Sequence, residues 1–342
     1  MGNAVADLMT SADRSKVYKL AARTLGANDD DIALTDSHTT GWTKALQTIR
    51  LNAGDVVLTT RSEWGGNWRA LQHLAQRYGC SVVVMPTIED GSVCLKRLSA
   101  LMSNKVKLVS VSWIGSNGGH IEPVVAIGEL ARAHGATYFV DASQVVGQIP
   151  VDVKSIQCDV LTTPGRKWIR GPKGTGFMYL RPEFLARVQA SGEFDGLVDD
   201  CVSVAAKFFE SKSASLPLQM GLKAALEQLQ QAGIERIQQS ILANSRRLWE
   251  GLQTLPRVDC LSKAPPQHGI VSFTVNGLSG TDAKNRLMKK GIDIVVNQAA
   301  FTPLDMQARQ LKEVVRASPH VCTSSDEIET FIREMHSLVK NI

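Results

Sequence analysis

The chain is 342 residues long, 44% hydrophobic and 21% charged, with 38 Lys and Arg against 33 Asp and Glu and a formal net charge of +5. That composition excludes a disordered chain, suffices for a well-buried core in two lobes, and spreads its mild positive charge too evenly to mark a nucleic-acid-binding protein. No stretch reaches the ~18–20 apolar residues of a membrane span, the N-terminus "MGNAVADLMTSADRSK" has no apolar export region, and Ala6 stands where a myristoylation site has Ser or Thr.

Short β-branched runs predict strands at 31–36, 55–60, 81–86, 106–114, 137–143, 159–164 and 175–180. Amphipathic patterns between them predict helices at 43–51, 67–79 and 123–135, the last two closed by a C-terminal glycine. Apolar strands alternating with helices imply an α/β fold with a mostly parallel seven-stranded sheet covered on both faces. From 217 to 254 the pattern is helical with a break at Gly233. A smaller α/β section follows, with strands at 269–275, 293–296 and near 313–319, and a last helix opened by "TSSDEIETF". The expected division is a large domain over 1–220 and a small C-terminal domain over 221–342, with no repeat or low-complexity linker between them. Six cysteines, at 80, 94, 158, 201, 260 and 322, lie far apart with no Cys-x-x-Cys pair. They read as reduced thiols of a cytoplasmic protein and argue against a metal site.

In open α/β sheets ligands bind beyond the carboxyl ends of the strands, so chemistry is sought just after each one. After the first comes "DSHTTGWTKAL", where Thr40, Gly41, Trp42 and Thr43 open a helix whose unpaired N–H groups suit a phosphate. An ordinary helix cap reads the same way. After the second, "RSEWGGNW" puts Trp64 in a glycine-containing loop, placed either for core packing or for lying on a planar ring. The fifth ends in "VDASQ": Asp141 is either a helix cap or the partner of a protonated ring nitrogen, and Gln144 can donate to a ring oxygen. "TTPGRKWIRGPKGTG" then gathers Arg166, Lys167 and Lys173. Like charges repel, so the cluster implies a bound anion or an amine that is not a free cation; Lys167, between a cation and Trp168, suits a nucleophilic amine. The Gly-rich turn is no nucleotide loop, because it precedes a strand and lacks the Lys-Ser/Thr pair.

These sites in this order, with the stretch "VDASQVVGQIPVDVKSIQCDVLTTPGRKWIRGPKGTGFMYLRPE", strongly resemble the class V aminotransferase group of fold-type I pyridoxal-phosphate enzymes, which includes cysteine desulfurases, epimerases and C–S lyases. The resemblance runs from about residue 15 to the C-terminus. The "EWGGN" loop, "FFES" at 208–211 and "VRASPHVCTSSDEIETF" at 315–331 look most like hercynylcysteine sulfoxide lyases of ergothioneine biosynthesis. The resemblance implies pyridoxal 5′-phosphate as cofactor, tied to Lys167 as an imine, with Lys167 also shuttling the substrate's α-proton. It implies that Asp141 keeps the ring nitrogen protonated, that Trp64 stacks on the ring, and that Gln144 bonds its hydroxyl. Gly41, Trp42, Thr43 and Arg166 would hold the phosphate; desulfurases usually have histidine at the place of Arg166. Arg316 would grip the amino acid's carboxylate, with Ser116 and Asn117 as further substrate contacts. A homodimer is implied, with the turn 171–176 near the subunit boundary.

Two departures bear on activity. The loop that carries a desulfurase's persulfide cysteine corresponds to "NQAAFTPLDMQARQ" (297–310), which has none, and the N-terminal segment is shorter than in relatives. The expected reaction is β-elimination at a C–S bond of a cysteine conjugate or its sulfoxide. Transamination, epimerisation, carbon-bond formation and a non-catalytic cofactor-binding role stay open.

Overall fold

The computed structural model describes residues 2–190, 206–211 and 214–342, with side chains described from residue 13 onward. Seven strands, β1 (Ile32–Thr35), β2 (Val56–Thr59), β3 (Ser81–Val84), β4 (Val106–Ser112), β5 (Thr137–Asp141), β6 (Val160–Pro164) and β7 (Gly176–Leu180), build one sheet in the order β1-β7-β6-β5-β4-β2-β3. Among the described residues β7 alone runs against the rest, antiparallel to both β1 and β6. The mostly parallel α/β architecture expected from the sequence is therefore present.

Both faces are buried, and the side-chain alternation of a strand assigns each residue to one of them. Tyr138, Val140 and Leu161 enter the core beneath the helices Gly2–Leu25, Val124–Ala133 and Leu216–Ala232. Their chain neighbours Phe139 and Val160 enter the opposite core with Trp42, Leu71 and Phe184. Register matters most at the carboxyl edge. Ser112 pairs with Asp141, and Asp141 pairs with Thr162, so three adjacent strands present polar side chains in one row where β4 and β5 end and β6 runs on to Pro164.

A second, antiparallel sheet contains β8 (Val258–Cys260), β9 (Val271–Val275), β10 (Val295–Gln298) and β11 (Glu313–Ala317) in the order β10-β11-β9-β8. The helices Ile234–Gln253, Gly280–Met288 and Ser325–Lys340 cover it. The last of these opens with a reciprocal capping box between Ser324 and Glu327. Gly233, at φ +79°, separates the two long helices as the sequence indicates. The residue-220 division falls inside the helix Leu216–Ala232, whose Leu222, Leu226 and Leu229 belong to the large sheet's core.

Two differences from expectation have local causes. The first crossover helix spans His38–Gln47 and starts five residues early, because Ser37 caps it by accepting the Thr40 N–H. β8 and the helices Leu95–Leu101, Pro182–Ala190 and Pro303–Ala308 were not expected, being too short or too weakly periodic to stand out.

Gly128 lies where the helix Val124–Ala133 crosses the turn at Ile156, and a Cβ there would stand 2.0 Å from the Ile156 carbonyl oxygen. Gly128→Ala should therefore lower unfolding stability by about 1–3 kcal/mol, the usual cost of overpacking. Urea titration measures it, and an unchanged midpoint would mean that the helix does not rest on that turn.

Candidate active site

Asp141 closes β5 as a buried carboxylate. Its Oδ1 accepts the Ser143 N–H at 2.8 Å, and its Oδ2 lies 3.4 Å from Asn67 Nδ2 and 3.2 Å from His38 Nε2. His38 places its other nitrogen, Nδ1, 2.7 Å from Thr162 Oγ1 on β6. Asn67 passes the connection back to Glu63 Oε1 at 3.1 Å. Glu63 is wholly buried, and its oxygens accept from Thr59, Ser110, Ser112 and the Trp64 N–H. Burial pushes its carboxyl above the usual carboxylate range, while the Ser112 bond works against that rise.

Lys167 stands in the turn after β6 as a half-buried amine. Burial pushes its ammonium down to about 8, against the pull of Asp141 and with further lowering from Arg316 and Arg166. Arg316 reaches the same space from β11. Its Nη1 donates to the Ser116 carbonyl at 2.8 Å, its buried Nε has no partner, and burial together with Arg166 brings it down to about 10. Trp168 holds the turn in place, since its indole N–H donates to Gln144 Oε1 at 3.0 Å and its ring stacks on His320 at 5.2 Å. The first bond occupies the Gln144 side-chain carbonyl and leaves its NH₂ for a ligand.

One cleft of about 340 Å³ brings together Trp64, Ser116, Asp141, Gln144, Arg166, Lys167 and Arg316. Four of the residues that the resemblance assigns to the site stand elsewhere. Gly41, Trp42 and Thr43 lie one turn inside the helix His38–Gln47, because the cap sits at Ser37. Trp42 is buried edge-on against Phe139 at 6.2 Å. The N–H groups without an intrahelical acceptor are instead those nearer the cap, at His38 and Thr39, and both residues line the cleft. Asn117 also turns away: it donates to Thr302 Oγ1 at 2.7 Å and accepts from Asn297 Nδ2 at 2.8 Å, so its amide ties the two sheets' loops together.

The sequence reading missed Ser37, His38, Thr39, Ser143, Asn297 and Phe301. Ser37 carried a signal, a Ser before a Thr-rich helix start. Asn297 and Phe301 lie in the stretch 297–310 matched to the desulfurase cysteine loop, a signal for the segment but not for either side chain. Trp64 sits at the start of the helix Gly65–Tyr78, with its ring folded over Gly66, where a Cβ would lie 2.0 Å from a ring carbon.

The family model for "Aminotransferase class-V" matches residues 6–331. A "Probable cysteine desulfurase" of Xylella fastidiosa (strain 9a5c) is 30% identical over 292 residues, covering 83% of this chain and 69% of the relative. Among solved structures, the apo cysteine desulfurase from Thermococcus onnurineus NA1 superposes with a TM-score of 0.88 at 28% identity, covering 98% of this chain and 86% of that one. The cystine C–S lyase C-DES, solved with its reaction product cysteine persulfide, superposes with a TM-score of 0.85 at 26% identity, covering 97% and 88%.

Reductive methylation of the cofactor-free protein, read peptide by peptide, should show Lys167 reacting with a half-maximal rate near pH 8. A lysine amine free in water titrates near 10.4. Arg316→Gln removes one of the neighbouring cations and should move the Lys167 midpoint upward; a midpoint common to all lysines would contradict the burial argument.

Proposed function

The chain belongs to the class-V aminotransferase family of pyridoxal-phosphate enzymes, and from that membership we propose that it is a C–S lyase acting on a cysteine conjugate or its sulfoxide. The observation that carries this reading is the mouth of the cleft. Val295 and Phe301, each 43% exposed, stand there beside Asn297, and no cysteine is among the described lining residues. Cys201 lies outside the described residues. An apolar mouth suits a substituent beyond sulfur better than it suits a protein thiol that takes sulfur from cysteine itself. The likeness to a hercynylcysteine sulfoxide lyase points the same way.

The residues present fit the cofactor. Arg166, Lys167 and Arg316 face one carboxylate, Asp141, so the cleft lacks anions, and the buried Ser143 Oγ and Arg316 Nε have no partner. In this reading Lys167 would hold the aldehyde carbon, Asp141 the ring nitrogen, Trp64 the ring face and Gln144 the ring hydroxyl. The helix start at His38 and Thr39, with Arg166, would hold the phosphate, in place of Gly41, Trp42 and Thr43. Residues 1–220 would supply most of this seat and residues 221–342 would bring Arg316. The enzyme would be a homodimer with the turn 171–176 at the boundary.

When bound, pyridoxal phosphate supplies an aldehyde that captures the substrate amine and a ring that stores the electron pair left at Cα. The chain's own residues do the rest. The Arg316 guanidinium pairs with the substrate carboxylate and fixes which Cα bond faces Lys167. Lys167, substantially neutral near pH 8, takes the Cα proton at Nζ. Asp141 keeps the ring-nitrogen proton in place. With the Cα proton removed, the Cβ–S bond breaks, sulfur leaves with the bonding pair, and the released enamine hydrolyses to pyruvate and ammonia.

Purified protein given cysteine S-conjugates and their sulfoxides should release pyruvate and ammonia in equal amounts, with no persulfide on the protein. Amino-group exchange that depends on an added keto acid would overturn the lyase reading in favour of transamination. Lys167→Ala should abolish both the absorption of the lysine–cofactor imine and turnover. Arg316→Lys should lower kcat/KM by about 10- to 100-fold, mostly through KM, because a point charge replaces a two-pronged contact; an unchanged KM would place the carboxylate elsewhere.

A further inference from the structure

His38 is the first residue of its helix and is 7% exposed. At Nε2 it meets two acceptors, Asp141 Oδ2 and Asn67 Oδ1, each 3.2 Å away. A carboxylate oxygen accepts only, and Asn67 turns its NH₂ to Glu63 Oε1, which leaves Oδ1 for the histidine. The proton of the neutral ring therefore belongs on Nε2. Nδ1 is then a bare acceptor, and at 2.7 Å it faces Thr162 Oγ1, a hydroxyl free to turn its hydrogen toward it. The edge of Trp64 closes the remaining side, with ring centroids 5.8 Å apart. The charged groups on this side of the ring are Asp141 from β5 and, behind Asn67, Glu63 from the loop after β2.

We propose that His38 is a positioning residue for Asp141: its Nε2–H, its tautomer set by Thr162, donates to Oδ2 and keeps that carboxylate anionic and aimed at the cofactor's ring nitrogen. The role rests on the cofactor assignment made for Asp141 above. The physical link is the basicity of a carboxylate. Each donor to an ionised carboxylate favours the charged form. Asp141 has the Ser143 N–H at Oδ1 and the His38 and Asn67 donors at Oδ2. Take the imidazole donor away and the carboxylate becomes a better base, so a proton shared with a pyridine nitrogen shifts from ring to carboxylate. A ring that has lost that proton stores charge poorly.

Two measurements test this. In the cofactor-free wild-type protein, ¹⁵N shifts of the His38 ring, assigned by loss of the signals in His38→Gln, should show Nε2 protonated and Nδ1 bare at neutral pH. The opposite tautomer could not donate to Asp141 and would overturn the proposal whatever the cofactor does. In protein loaded with pyridoxal phosphate carrying ¹⁵N in the ring, the wild-type signal should be that of a protonated ring. His38→Leu should move it toward neutral pyridine and lower kcat by about 10-fold or more at an unchanged KM, while His38→Gln, which keeps an N–H donor, should retain most of the wild-type shift. An unmoved ring signal in a folded His38→Leu protein would refute the role. A wild-type protein that formed no cofactor adduct would overturn the assignment beneath it, a failure distinguishable because the tautomer measurement involves no cofactor.

Discussion

A carboxylate at the end of a central strand has lost most of its water, and replacing that water is the constraint around which this cleft is built. Removing an ionised group from solvent costs several kcal/mol unless donors surround it. For Asp141 the donors come from two helix starts, at His38 and Asn67, and from its own turn. The register of β4, β5 and β6 makes this possible, since it brings Ser112, Asp141 and Thr162 side by side. A one-residue slip would turn Asp141 into the apolar core below.

Glu63 extends the same logic one layer deeper. It is more buried than Asp141 and is met by serine and threonine hydroxyls from β2 and β4, an asparagine amide and a backbone N–H. Its contacts fix the start of the helix Gly65–Tyr78, and with it Trp64 and Asn67. Trp64 and the amide behind Asp141 are thus positioned by one buried acid. From the other sheet, Asp305 accepts from Arg61 at 3.0 Å and from Arg309 at 2.9 Å, and Asn117 joins Asn297 and Thr302. These bonds hold β10, β11 and their loops over the strand ends, so Arg316 and Lys167 line the same cleft.

All seven strands of the large sheet could be read from the chain, because runs such as "VVLT" and "YFVD" are buried on both faces and need little context. Asp141, Gln144, Lys167 and Arg316 were also legible, since each follows or ends such a run or belongs to a recognisable motif. The helix start was less so: Ser37, His38, Thr39 and Thr40 are polar, carry no apolar period, and announce a helix only through the cap. That misplacement put the phosphate seat at Gly41, Trp42 and Thr43. His38 escaped notice because its significance is tertiary, with partners on β5, β6 and the helix Gly65–Tyr78. Asn297 and Phe301 reach the mouth because the second sheet folds back over the first, and only the likeness of 297–310 to the desulfurase cysteine loop pointed there.

The crowding of Arg166, Lys167 and Arg316 acquires a reason once burial is considered. Burial and then the guanidinium groups of Arg316 and Arg166 disfavour the charged form of Lys167, and the lysine is the side chain able to respond, because a guanidinium keeps its proton at any ordinary pH. Lys167 is therefore brought down to about 8 while Arg316 remains charged. The cleft thus contains both an amine that is neutral for part of the time and a fixed fork for an anion, built from three residues of like charge. With three cations and the one carboxylate Asp141 among its lining residues, the cleft carries a positive field, and such a field favours anionic groups.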